Sequence, residues 1–345
     1  MSAATMAAIT AVGEPRDDVE RIGDERFGSV RLDLRTGQSY VRPALAAEEL
    51  RLAAVPEPEP VPLTPEEEAL LAAARMTVGA EARAPKCPFA ANRGPQPFLL
   101  DPDRRRRFKG DRSRYPWRAF ARIRAGSMQQ SGAFVGPRHV LTCAHALWNC
   151  VPEHGCFLWA GDRGIAVYFG RPGYWRRATD LLIPYEWYCK GSAAGVNFDY
   201  ALLVLEEDGT YSPGYFTVGA GSSREVALTM SYGFPVRHLL CRDAPVPSPQ
   251  CRPWGRCGDE LYGMAMTAYV RRHAYFEGAY NSLGGQSGQV FYRDVGGHRR
   301  VLGVLHGTRE TADGRYGQRA VVKRFGRASA AQIRYWVRDC WRGCG

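Results

Sequence analysis

The sequence lacks any apolar run near the roughly 18 residues that a membrane-spanning helix requires, so no helical span is expected. It also lacks the positively charged start of a standard secretory signal. Met1 to Gly13 is short, small and apolar, with no basic residue ahead of it. There is no zinc-finger spacing, no aromatic signature of an RNA-binding module and no internal repeat, so no nucleic-acid partner is expected. Apolar side chains are not scarce: 45% of the 345 residues are hydrophobic and 11% aromatic, enough for a sizeable core. That length allows two or three compact units, or one domain behind a long extension. Ten cysteines stand at positions 87, 143, 150, 156, 189, 241, 251, 257, 340 and 344. An even count fits several disulfides in a secreted protein or another oxidising compartment, with the pairing left open.

Charge is unevenly spread. Residues 1–100 hold 15 acidic and 11 basic side chains, net −4, and the remainder holds 20 acidic and 35 basic, net +15. A basic domain behind an acidic leader suits an acidic substrate or an acidic pro-segment as well as a merely solvated arginine-rich surface. The leader contains Pro56-Glu57-Pro58-Glu59-Pro60, an extended tract that resists packing, and closes on the basic run Arg104 to Arg107. It reads as a linker or pro-region. One short helix is expected inside it, opening at Thr64-Pro65-Glu66, where Thr can cap and Pro suits the first turn, and ending near Met76.

From Tyr115 the texture changes to short β-like runs punctuated by Gly and Pro. Ala133-Phe134-Val135, Gly136-Pro137 and His139-Val140-Leu141-Thr142 read as strand, turn and strand. Ala201 to Leu205 (ALLVL) reads as a buried strand, and further strands are expected at 226–231, 264–270, 288–293 and 301–305. Such spacing points to an all-β barrel or sandwich. Ala328 to Trp341 is amphipathic and reads as a terminal helix.

Three local sequences carry chemistry: Thr142-Cys143-Ala144-His145-Ala146, Asn197-Phe198-Asp199-Tyr200-Ala201-Leu202 and Gly284-Gly285-Gln286-Ser287-Gly288. Serine acyl transfer needs a hydroxyl nucleophile, an imidazole base, a carboxylate that orients the imidazole, and backbone N–H groups for the oxyanion. Taken singly, His145 reads as a satisfied core histidine, Asp199 as a turn cap and Ser287 as a loop serine. Taken in chain order, 54 and then 88 residues apart, they are far more specific.

That order resembles the chymotrypsin-fold serine proteases, and most closely the bacterial-type glutamyl endopeptidases. Tyr115-Pro116-Trp117-Arg118-Ala119-Phe120, Gly136 through His145, Asn197 to Ala201, Tyr232-Gly233-Phe234-Pro235 and Gly284 to Gly288 are similar to motifs of that branch, in the same order. The resemblance implies an all-β protein of two six-stranded antiparallel barrels with a C-terminal helix, behind a largely irregular N-terminal extension. Residues 1–110 would form the extension and 111–345 the protease domain, with barrels at 115–208 and 220–327 and the helix at 328–341. It implies a serine endopeptidase with His145, Asp199 and Ser287 as its triad and Gly285 and Ser287 N–H as its oxyanion hole. Polypeptide substrates, no cofactor, no metal and a monomer are expected.

The resemblance has departures. The disulfide that the family carries beside its histidine is missing, and its positions hold Ala146 and Gln130. Residues 241–258 look like an enlarged loop. Asn281 stands where trypsin-like enzymes carry the Asp that selects Arg or Lys, which argues against that preference. Ser282 and His306 are the expected ligands of a substrate Glu or Asp side chain, with Arg309 in reserve. His306 comes one residue late in Gly303-Val304-Leu305-His306-Gly307, so a strand bulge is needed to aim it. Gln286 replaces the Asp that pairs with a new N-terminus in trypsin-like enzymes, so leader removal near Arg104–Gly110 would not activate by that salt bridge. Two rival readings remain. One is a catalytically inactive protease-fold scaffold. The other is a zinc site built from Cys143, His145, Cys150, His154 and Cys156.

Overall fold

The computed structural model describes residues 21–22, 25–26, 28–42, 60–81, 105–151, 155–160, 164–207, 212–222, 224–235, 260–271, 274–278, 284–309 and 319–339. The leader contributes β1 (Ser29–Asp33), β2 (Ser39–Arg42), helix α1 (Pro65–Glu81) and the two-residue β3 (Arg106–Arg107). The first barrel follows with β4 (Phe120–Ala125), β5 (Met128–Gly136), β6 (His139–Thr142), the side hairpin β7 (Trp148–Val151) and β8 (Gly155–Leu158), then β9 (Ile165–Phe169), β10 (Trp175–Pro184), the short helix α2 (Tyr185–Lys190) and β11 (Ala201–Leu205). The second holds β12 (Thr217–Val218), β13 (Leu228–Gly233), β14 (Tyr262–Arg271), β15 (Tyr275–Gly278), β16 (Val290–Val295), β17 (His298–Arg309) and β18 (Arg319–Arg324), and α3 (Arg327–Asp339) closes the described chain.

Six strands close each barrel. The first runs β9-β4-β5-β6-β11-β10 and returns from β10 to β9; the second runs β17-β16-β13-β14-β15-β18 and returns to β17. All these pairings are antiparallel, as expected from the alternation of strand and turn. The ALLVL strand is buried at every position because both of its faces are covered. An aromatic cluster joins the barrels. Phe120 on β4 lies 5.2 Å from Tyr232 and 5.1 Å from Phe216, and Phe216 lies 5.1 Å from Tyr292. Trp117 meets Tyr232 edge-on at 4.7 Å. The Tyr115–Phe120 motif is therefore an inter-barrel packing element, and such aromatic pairs add to the area they bury.

The leader is irregular in part, but its described pieces from Ser29 onward are docked. β10 pairs with β9 at its start and, from Asp180 to Pro184, with β1, so the leader extends the first sheet. Val30 and Leu32 on β1 point into the core. α1 packs on β13 and β14, and β3 pairs with β14. The helix begins where expected, with a reciprocal cap: Glu67 N–H donates to Thr64 Oγ1 at 3.3 Å, and Thr64 N–H donates to Glu67 Oε2 at 2.9 Å. It runs on to Glu81, past the expected end near Met76.

Candidate active site

β6 and β11 pair with Thr142 opposite Ala201, which brings the residues just beyond each strand together. Asp199 is fully buried there. Its Oδ1 accepts the N–H groups of Ala144 at 2.9 Å and His145 at 2.8 Å, and its Oδ2 accepts from His145 Nδ1 at 2.7 Å. Burial alone would push this carboxyl up. The His145 charge and hydrogen bond, with those of His306, outweigh it and hold Asp199 well below the ordinary carboxylate range. For His145, burial works toward the neutral ring, but the Asp199 carboxylate and the Cys143 sulfur lift it well above the ordinary histidine value. The imidazole remains 29% exposed and so can meet a substrate.

Ser287 lies in a turn built by two left-handed glycines, Gly285 at φ +89° and Gly288 at φ +77°. At Gly288 a Cβ would come 2.0 Å from Thr142 Oγ1, so no side chain fits. The turn is clamped from both barrels. Ser131 on β5 donates its N–H to the Ser287 carbonyl at 2.9 Å and its hydroxyl to the Gly285 carbonyl at 2.8 Å, and Gly288 N–H donates to Leu305 O at 3.0 Å. Ser287 is half-buried, and the N–H groups of Gly285 and Ser287 have no acceptor among the described residues. The Ser287 hydroxyl likewise makes no hydrogen bond among them. His145 Nε2 faces the Cys143 thiol instead, at 3.7 Å.

Below the turn runs a buried polar chain that the sequence did not announce. Arg105 donates to Gln286 Oε1 at 3.3 Å, Gln286 to Gln289 Oε1 at 3.0 Å, Gln289 to Ser231 Oγ at 2.6 Å, and Ser231 to Val290 O at 2.7 Å. An arginine of the leader's basic run thus supports the residue beside Ser287. Gln130 and Ala146, at the positions of the missing disulfide, are linked by a weak amide hydrogen bond of 3.5 Å from Gln130 Nε2 to Ala146 O.

His306, the expected ligand of a substrate carboxylate, also touches the triad. The register of β17 on β18 shifts between Leu305 and Gly307, so the anticipated bulge is present and His306 is the extra residue. It turns His306 Nδ1 onto Asp199 Oδ2, beside His145. The two imidazoles meet edge-on with centroids 5.6 Å apart. Asp199 therefore accepts four hydrogen bonds, and a strand position gave no sign of the fourth. Asn281 and Ser282, the loop 241–258 and His154 lie outside the described residues, and so does the Arg309 side chain. Cys150 and Cys156 are joined in a disulfide across the β7–β8 hairpin, which removes both from the rival zinc set.

No protein-family model matches the chain, and no curated protein matches it in sequence. Solved structures do match in shape. A Glu endopeptidase solved in complex with MPD superposes with a TM-score of 0.52 at 15% identity, covering 68% of this chain and 96% of that one. The protease Anisep from Arthrobacter nicotinovorans gives 0.43 at 16% identity over 61% and 90%, and a thermostable serine protease, AL20, from an extremophilic microorganism gives 0.46 at 18% over 63% and 96%. The chain has the chymotrypsin fold.

Proposed function

We propose that the chain is a serine endopeptidase that cleaves polypeptides through an acyl-enzyme. The observation that carries this reading is the buried Asp199–His145 pair set beside a glycine turn whose Gly285 and Ser287 N–H groups are left open. Ser287 Oγ adds to the scissile carbonyl as its proton passes to His145 Nε2. For that step Nε2 has to exchange the Cys143 thiol for the Ser287 hydroxyl. Asp199 keeps the proton on Nδ1 and stabilises the imidazolium, and the two N–H groups take the developing oxyanion. His145 then returns its proton to the leaving amine, and water repeats the sequence on the acyl-enzyme. The chemistry needs no cofactor.

The finer reading is a preference for Glu or Asp at the cleaved position. With Nδ1 committed to Asp199, His306 is left with Nε2 on a side chain 34% exposed, and a doubly protonated His306 would offer Nε2–H to a substrate carboxylate beside the Ser282 hydroxyl. A peptide library decides this, since a dominant basic or aromatic preference refutes it. The rival reading, an inactive scaffold, is favoured by the open Ser287 hydroxyl. A fluorophosphonate probe separates the two: labelling of the wild type and none of Ser287→Ala supports the enzyme. Ser287→Ala should also lower turnover by about a millionfold while the fold persists.

A further inference from the structure

The geometry around Cys143 points to a site that the proposed reaction does not use. We propose that Cys143 Sγ and His145 Nε2 bind a thiophilic divalent cation of the zinc and cadmium class, and that its binding silences the enzyme. The site rests on geometry alone; only the silencing rests on the protease reading.

Cys143 Sγ and His145 Nε2 are 3.7 Å apart. A tetrahedral ion bound at ordinary zinc–sulfur and zinc–nitrogen lengths holds such a pair about 3.6 Å apart. The pair is already at bite distance, without a rotamer change. Thiolate and imidazole together select zinc-like ions over magnesium or calcium. The carboxylate completes a familiar supporting arrangement. Asp199 Oδ2 accepts from His145 Nδ1 at 2.7 Å, which fixes the ring's orientation and leaves the lone pair on Nε2, and an outer carboxylate of this kind strengthens a histidine ligand. The donor atoms of Cys143, His145 and Asp199 all lie within 4.8 Å of one another.

A third donor stands close. The Gln130 Oε1 carbonyl lies 3.7 Å from Cys143 Sγ and is otherwise met by the Thr142 hydroxyl only at 3.4 Å. Thr142 has a shorter bond, 2.8 Å to Ser131 O, so Gln130 can turn to an ion at little cost. The exposed side of His145 leaves room for water as the fourth ligand. On binding, the Sγ proton leaves to solvent, as does the Nε2 proton of any ring that is charged; sulfur and nitrogen each donate a lone pair, and nothing is oxidised or reduced. The Nε2 lone pair is the one that would accept the Ser287 proton, so an occupied site has no free base. The remaining described free thiol, Cys189, is exposed and has no such partner arrangement.

The test uses the full-length chain, metal-free and with the Cys150–Cys156 disulfide intact, at one fixed pH. Cadmium is titrated while the thiolate-to-cadmium ultraviolet charge-transfer band is followed, and zinc inhibition of peptide hydrolysis is measured relative to each variant's own rate. The wild type should show one equivalent of band more than Cys143→Ala, and Cys189→Ala should keep that equivalent. Losing an outer-shell partner of a metal ligand costs about 10- to 100-fold in affinity, so losing the thiolate itself should raise the half-inhibiting zinc concentration by about 100-fold or more. Zinc inhibition of the wild type should reverse with EDTA. If Cys143→Ala does not fold, Cys143→Ser preserves the size without the thiolate. A band of full amplitude in the Cys143 variant, or unchanged zinc sensitivity, overturns the site. A Cys143-dependent band in a protein that resists fluorophosphonate would keep the site and sink the protease reading; labelling without the band would do the reverse.

Discussion

Glu67→Ala should destabilise the whole fold, although the residue lies in the leader and far from the proposed chemistry. Glu67 and Arg299 both have fully buried side chains and meet through two bonds, Arg299 Nε to Oε1 at 2.8 Å and Nη2 to Oε2 at 2.5 Å. The guanidinium also donates Nη1 to Val61 O and Nη2 to Pro62 O, so one arginine holds the entry to α1 on the second barrel. Tyr292 donates its hydroxyl to Glu67 Oε1 at 2.9 Å. Truncating Glu67 leaves a cation in the interior with carbonyls only, and breaking one side of a buried pair costs about 3–5 kcal/mol. Against a total of about 5–15 kcal/mol this is a large share. With a urea slope of about 3 kcal/mol/M, the midpoint should fall by about 1 to 2 M. Equilibrium urea unfolding of Glu67→Ala, Arg299→Ala and the double variant measures it. The two single losses should overlap, so that the double costs well under their sum. A stability within about 0.5 kcal/mol of wild type, or strictly additive losses, would refute the lock.

The same lock bears on processing. A nick at 104–110 should leave the leader fragment bound through α1 and β1, the two pieces copurifying until denaturant separates them; fragments that part on native gel filtration would show that the docking is weak. The acid limb of kcat/KM should lie above the ordinary histidine value of about 6.5. His145 is lifted by Asp199 and acts as a base only when neutral, so activity rises as pH climbs through the raised value. Asp199→Asn should move the limb downward and lower kcat by about 10⁴; a limb at the ordinary value in the wild type would contradict the pairing. His306→Ala removes one of four hydrogen bonds to a buried carboxylate, worth about 1.5–3 kcal/mol for a charged acceptor. Expressed in kcat/KM, that is a loss of about 10- to 100-fold with a shifted acid limb. Full activity with an unmoved limb would make His306 a bystander to Asp199.

What was legible in the sequence was local. The Gly-Gly-Gln-Ser-Gly turn, the ALLVL strand, the Thr64 cap and the amphipathic C-terminal helix each depend on neighbours within a few positions, and each stands where those neighbours put it. The contact of His306 with Asp199 was not legible, because a period-two strand assigns faces by counting and the bulge at Leu305–Gly307 breaks the count. The Cys143 thiol lies only two residues from His145, yet its approach to Nε2 depends on the turn between them, for which no residue pattern exists. The leader shows a larger gap. Its Pro/Glu tract lies outside the described residues as far as Glu59, and the linker reading was extended to flanking residues that do pack. Ser29-Val30-Arg31-Leu32-Asp33 is a five-residue alternation, too short to separate from chance until β10 offers an edge beyond the reach of β9. Glu67 looked like a capping glutamate, and it is one. That it also neutralises Arg299, 232 residues onward, could not be read from either end, because a buried ion pair leaves no periodic trace. A capping glutamate that were nothing more would tolerate glutamine, which keeps the reach to Thr64 N–H. Only the buried guanidinium distinguishes the two roles, so Glu67→Gln should cost far more than a cap's usual value of about 1 kcal/mol.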